Sequence, residues 1–87
     1  MAFNDYYRNK RVFLTGHTGF KGSWLAEWLL DLGAEVHGYA LDPQPHECLF
    51  DQLELASRLS SDTRADLADR TRLNDAIRAA RPDVILH

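Results

Sequence analysis

The stretch Arg11-Val12-Phe13-Leu14-Thr15-Gly16-His17-Thr18-Gly19-Phe20-Lys21-Gly22-Ser23-Trp24-Leu25 decides how this chain folds. A short apolar run from Arg11 to Leu14 breaks into three evenly spaced glycines and then into a segment with helical apolar spacing. That succession predicts a strand, a tight turn and a helix N-terminus. Each glycine answers a separate requirement. Gly16 leaves the strand through backbone angles closed to a residue with a Cβ. Gly19 lets the main chain approach a ligand, and Gly22, one helical turn on, lets the helix lie close against the sheet. The N–H groups of the first helical turn have no intrahelical acceptor, and the helix dipole places partial positive charge beside them. Such a turn suits a pyrophosphate, with G-x-x-G-x-x-G differing by one residue from the G-x-G-x-x-G dinucleotide fingerprint.

Downstream, Trp24, Leu25, Trp28, Leu29 and Leu32 form one broad stripe, which predicts a helix from about Gly19 to Leu32 with both tryptophans in the core and Gly33 as its stop. A second strand, Glu35 to Leu41, completes a βαβ unit and ends at Asp42-Pro43-Gln44-Pro45. Leu49, Phe50, Leu53 and Leu55 suggest a short helix within His46 to Leu59, and Thr63 to Leu67 is the expected third strand. Leu73, Ala76, Ile77 and Ala80 recur at helical spacing, with Asp69 able to cap the start and Arg78 and Arg81 favouring the negative end before Pro82. Val84 to His87 reads as a buried strand. The order β-α-β-α-β-α-β is the first half of a doubly wound parallel sheet, in which the fourth strand lies beside the first at the mouth of the ligand crevice. Residues 1–87 are therefore expected to be the N-terminal part of a dinucleotide-binding domain whose remainder, with a substrate domain, lies outside this chain.

At 87 residues the chain suits one small α/β domain, and its formal charge of −3 offers no electrostatic ground for binding nucleic acid or an anionic membrane. Cys48 is the single cysteine, which rules out an intrachain disulfide and fits a reducing compartment. Met1 to Lys10 lacks the apolar core of a secretory signal, and the most apolar stretch, Trp24 to Leu32, is interrupted by Glu27 and Asp31. A cytoplasmic location is expected. His37, His46, Cys48 and His87 lack metal-ligand spacing. Lys21 precedes Gly22-Ser23 at the wrong spacing for an NTPase loop, and is expected to be a solvated charge near the pyrophosphate.

The run Thr15 to Gly22 resembles the T-G-x-x-G-x-x-G signature of the extended short-chain dehydrogenases/reductases. Ser23-Trp24-Leu25, Trp28-Leu29, Leu32-Gly33-Ala34 and Gly38-Tyr39-Ala40-Leu41 extend the likeness towards the nucleotide-sugar dehydratases of that family. The resemblance implies a Rossmann fold, NAD as an internally recycled cofactor, and a nucleotide-sugar substrate; a homo-oligomer is expected of the full-length enzyme. It implies that Gly16, Gly19 and Gly22 shape the pyrophosphate turn, with backbone N–H groups near Phe20 and Lys21 donating and Thr18 adding contacts. Ala65-Asp66-Leu67 resembles the family segment whose acid accepts from the adenine amino group and whose next N–H reaches the ring, with alanine in place of the usual glycine. Asp66 and Leu67 are the adenine candidates; the alternative is that Asp66 only turns the chain.

Two roles stay open for His17: an imidazole approaching the cofactor or a cytidylate-binding partner loop, or a surface loop histidine whose backbone matters more than its ring. Asp42 stands about 20 residues past Gly22, the distance at which an acid takes the adenosine ribose 2′-OH. Related enzymes carry that acid about two residues earlier, where this chain has Ala40. With no arginine at the end of the second strand to hold a 2′-phosphate, NAD is expected over NADP. The family's catalytic Tyr-x-x-x-Lys pair is expected beyond His87; Tyr6 and Lys10 imitate its spacing but precede the first strand and receive no catalytic role. Two other functions compete: a different extended nucleotide-sugar epimerase, dehydratase or reductase, and a non-catalytic dinucleotide-binding or redox-sensing module.

Overall fold

The computed structural model describes residues 6–42 and 49–87. Strand β1 (Arg11–Thr15) lies inside a four-stranded parallel sheet of order β3-β2-β1-β4, flanked by β2 (Glu35–Ala40) and β4 (Val84–Leu86), with β3 (Ser61–Arg64) outside β2. Val12 pairs with Val36 on one side and Val84 on the other. A strand buried on both faces must be apolar at consecutive positions, and Val12, Phe13 and Leu14 are all buried. Val12 and Leu14 join the core beneath helix α1 (Phe20–Asp31), together with Ala26, Leu29, Val36, Phe50 and Leu55. Phe13 points to the other face, where it meets Tyr39 and helix α3 (Arg70–Ala80) through Ala80, Leu73, Ala76 and Ile77.

Helix α1 ends as the sequence suggests. Gly33, at φ +87°, donates to the Leu30 carbonyl, and Ala34 donates to that of Leu29, a Schellman closure in which a left-handed residue ends the helix. The face it turns to the sheet differs from the expected stripe. Ser23, Ala26 and Leu29 are its buried residues, whereas Trp24 and Trp28 are 53% and 52% exposed. Small side chains three apart let the helix axis come close to the sheet, and this close approach leaves no depth for an indole on that side.

The third strand is also displaced. It runs from Ser61 to Arg64 rather than from Thr63 to Leu67, and Ala65 to Leu67 form the loop that follows. The strand is polar throughout, so its register follows the ladder to β2, from His37↔Ser61 to Ala40↔Arg64, and not an apolar pattern. The expected helix within His46 to Leu59 resolves into a short turn, α2 (Leu49–Gln52), and a 3₁₀ turn, Leu55–Ser57, separated by Glu54 in the left-handed region. Residues 43–48, including both prolines of Asp42-Pro43-Gln44-Pro45, His46 and Cys48, lie outside the described residues. The last helix carries the expected stripe, and Asp69 caps it by accepting from Arg72 N–H at 3.2 Å. Strand β4 stops at Leu86; His87 lies just past it, with Nδ1 hydrogen-bonded to Thr15 Oγ1 at 2.7 Å.

Candidate dinucleotide site

Gly16 N–H makes the last bond to β2, donating to the Tyr39 carbonyl at 3.0 Å, and at φ +76° the chain then turns away from the sheet. The turn is tied on every side. Gly19 N–H donates to the Gly16 carbonyl at 3.2 Å, buried Ser23 Oγ donates to the His17 carbonyl at 2.8 Å, and Thr18 Oγ1 donates to the Leu41 carbonyl at 2.9 Å. Helix α1 starts from Gly19 in extended geometry, with no side chain capping its first N–H groups. Phe20, Lys21 and Gly22 therefore present donors in the arrangement that receives anions.

The three glycines differ in what they do. Gly16 is required by its backbone angle. At Gly22 a Cβ would overlap the Gly16 carbonyl, so its absence lets the first turn of α1 pack on the glycine turn itself, a closer partner than the sheet expected from sequence. At Gly19 a Cβ would touch only the Gly16 carbonyl, at an ordinary 3.6 Å, and φ is −78°. Among the described residues nothing demands glycine there, and the open space above it is where a bound group would approach the main chain.

That space belongs to a groove of about 320 Å³ lined by Gly16, Thr18, Gly19, Tyr39, Ala40, Leu41, Ala65, Asp66 and Leu67. Its volume is at the lower end of ordinary small-molecule sites. Three predicted segments converge on it: the glycine turn, the end of β2, and the Ala65 to Leu67 segment that holds both adenine candidates. Tyr39 Oη donates to the Asp66 carbonyl at 2.9 Å and holds the loop in place, while Asp66 Oδ1 accepts from Ala68 N–H at 2.9 Å. One carboxylate oxygen of Asp66 thus helps turn the chain. A second hollow, of about 490 Å³, is lined by Trp24, Leu25, Glu27, Trp28 and Asp31, all on helix α1, and has no convergent backbone donors.

His17 follows neither expected role. Its ring is fully buried beneath the turn, edge-on to Phe50, and stacked so closely over Gly38 that a Cβ there would lie 2.5 Å from Cδ2. Nε2 lies 2.6 Å from Asp62 Oδ1. Burial pushes the histidine pKa down, against the opposing pull of Asp62, so near pH 7 the neutral ring serves the Asp62 carboxylate as a donor through Nε2. Nδ1, buried with no hydrogen-bond partner among the described residues, faces Gly38. A glycine inside strand β2 was the available signal, because such a residue marks a close approach of other atoms.

Asp42 sits just past β2 and outside the groove lining, its side chain 84% exposed, with Oδ1 3.3 Å from Arg64 Nη1. The end of the second strand has no arginine of its own, but Arg64, the register partner of Ala40, comes across to it from β3. Asp62 grips it bidentately, Oδ1 accepting from Nε at 2.9 Å and Oδ2 from Nη2 at 2.8 Å. Burial raises the Asp62 carboxyl pKa, and the bonds from Arg64 and His17 outweigh that and leave it lowered. Among the described residues, no group of three His, Cys, Asp or Glu could hold a metal ion, and no helix is long and apolar enough to cross a membrane.

Comparison with known proteins agrees with this geometry. The chain is 41% identical over its whole length to CDP-glucose 4,6-dehydratase of Salmonella typhimurium and spans 24% of that protein. It is 36% identical over 72 residues to dihydroflavonol 4-reductase of Solanum lycopersicum, matching 80% of this chain and 19% of that one. A solved Burkholderia cenocepacia protein described as an epimerase superposes on 93% of this chain and 25% of its own, with a TM-score of 0.66 and 32% identity. The chain thus spans about a quarter or less of the length of these relatives. Residues 12–87 match the model of the NAD dependent epimerase/dehydratase family, and with its glycine turn, parallel sheet and groove the chain belongs to that family.

Proposed function

We propose that these residues form the NAD-binding part of a nucleotide-sugar 4,6-dehydratase acting on CDP-glucose. The observation that carries the reading is Gly19: a glycine that the fold itself does not need, facing a groove whose far side is Ala65, Asp66 and Leu67. In this reading the pyrophosphate lies against the N–H groups of Phe20, Lys21 and Gly22, and the adenine sits between Leu41 and Leu67, both exposed apolar side chains of the groove. The second carboxylate oxygen of Asp66 accepts from the adenine amino group, Leu67 N–H donates to the ring, and Asp42 accepts from the ribose 2′-OH. Lys21 contributes a positive charge near the phosphates, and His17 contributes its backbone to the turn while its ring serves the interior.

Bound NAD supplies a transient hydride acceptor, so that conversion of CDP-glucose to CDP-4-dehydro-6-deoxyglucose and water is redox-neutral overall. The choice of CDP-glucose rests on the likeness to the Salmonella enzyme along the whole chain. Tyr6 and Lys10, which precede β1 and have Nζ 5.5 Å from the ring centroid, are given no proton-transfer role. Binding of NAD by the full-length protein, followed by calorimetry, tests the site. Gly19→Val is expected to abolish binding in a protein that remains folded; unchanged affinity would remove the turn from the site. Turnover of CDP-glucose by the same protein tests the reaction. Release of a 4-keto-6-deoxy sugar without net NADH is expected, whereas accumulating NADH, an epimerised sugar or a reduced product would favour another branch of the family, to which the similarity to dihydroflavonol 4-reductase also points.

A further inference from the structure

We propose that Asp62 sets the dinucleotide preference of this site, by holding Arg64 so that its guanidinium supports Asp42 and stays unavailable to a 2′-phosphate. The inference rests on the reading of the groove as a dinucleotide site. In that reading the adenosine ribose lies beyond the C-terminal end of β2, where Asp42 and Arg64 are the neighbouring charges. An arginine in that position ordinarily accommodates the phosphate of NADP. Here three of its five N–H donors are already committed. Nε and Nη2 bond the two oxygens of Asp62, and Nη1 points to Asp42. The guanidinium carbon stands 4.8 Å from the centroid of the Phe50 ring, which supports the side chain from one face.

The charge balance acts in the same direction. Asp42 and Asp62 face one Arg64, and the buried His17 ring on the other side of Asp62 is neutral, so the cluster carries net negative charge. A 2′-phosphate meets repulsion from it, and a ribose hydroxyl meets an acceptor, Asp42, steadied by Arg64. A bidentate arginine–carboxylate pair is directional, so Asp62 determines where the guanidinium edge points as well as how much charge surrounds it. Asparagine at 62 would keep a side chain of the same size for His17 while releasing the charged grip on Arg64.

Calorimetric titration of the full-length protein with NAD and with NADP tests this. The parent is expected to bind NAD at least about tenfold more tightly than NADP. Asp62→Asn is expected to shrink that ratio by about tenfold, mainly through tighter NADP, and Asp62→Asn with Arg64→Gln to restore it. A ratio unchanged within about twofold in folded Asp62→Asn, or a gain that persists without Arg64, would overturn the proposal. Where Asp62→Asn does not fold, Arg64→Lys decides, because it keeps the charge and gives up the bidentate grip: a NAD-to-NADP ratio smaller than the parent's by about fivefold or more supports the proposal, and any lesser change overturns it. A parent that prefers NADP overturns the role of Asp62 and leaves the dinucleotide site standing. A parent that binds neither removes both.

Discussion

Glycine is an internal necessity at position 22 and, in the proposed site, an external one at position 19. A Cβ at 22 would collide with the Gly16 carbonyl, main chain that cannot move without dragging β1 with it. Gly22→Ala is expected to cost about 1–3 kcal/mol of stability, measured as a lower urea midpoint, in contrast to the intact fold of Gly19→Val. His17 carries the second residue-scale prediction. In the unfolded chain its imidazole takes up a proton near pH 6.5, whereas burial holds the folded pKa lower. Between those values the unfolded state binds more protons, so stability is full above about pH 6.5 and falls as the pH drops towards the folded pKa. Urea midpoints at pH 7.5 and 5.5 check this. His17→Gln keeps an N–H donor for Asp62 without a titrating ring, and should flatten the dependence. His37, held low chiefly by burial, leaves a residual slope of the same sign. The ring's location was illegible in the local run Gly16 to Gly19, because its partners Gly38 and Asp62 stand far along the chain.

Among the elements, helix α3 was legible because every signal in it is local: Leu73, Ala76, Ile77 and Ala80 define one face, and Asp69 caps the start. Asp69→Ala leaves the Arg72 N–H without its carboxylate acceptor and is expected to lower stability by about 0.5–2 kcal/mol, read from thermal or urea unfolding. Helix α1 was legible in extent but not in orientation. Bulk suggested Trp24 and Trp28 for the core, but distance of closest approach governs which side faces a sheet, and Ser23 and Ala26 win that contest by being small. Strand β3 was misplaced for a related reason. Its Asp62 and Arg64 satisfy each other and His17, and a strand stabilised that way carries no apolar alternation to read.

For the molecule as a whole, β1 joins two cores that share only the sheet between them. Val12 and Leu14 serve the α1 face, and Phe13 with Tyr39, ring centroids 6.0 Å apart, holds α3 to the other. Phe13→Ala opens the smaller of the two clusters and is expected to cost about 3–5 kcal/mol. That is a large share of the roughly 5–15 kcal/mol typical of a domain, so urea unfolding should show a greatly reduced midpoint, with α3 amides exchanging faster than those of α1. The doubly wound order was legible from the alternation of strands and helices, and the groove follows from it, since the glycine turn and the loop after β3 both leave the same end of the sheet. The charged edge of that groove was not, because it is assembled across β2 and β3 by side chains 22 residues apart.

The bonds that tie down the glycine turn also have a kinetic meaning. Gly16 N–H, Gly19 N–H, Thr18 Oγ1 and Ser23 Oγ are already engaged before any dinucleotide arrives, and the N–H groups left over are the ones aimed at the anion. In the proposed site, capture by this turn needs no rearrangement of the bonds that hold it. Association should then proceed at the rate of productive encounter, and differences in affinity among variants of this turn should emerge in how long the dinucleotide stays.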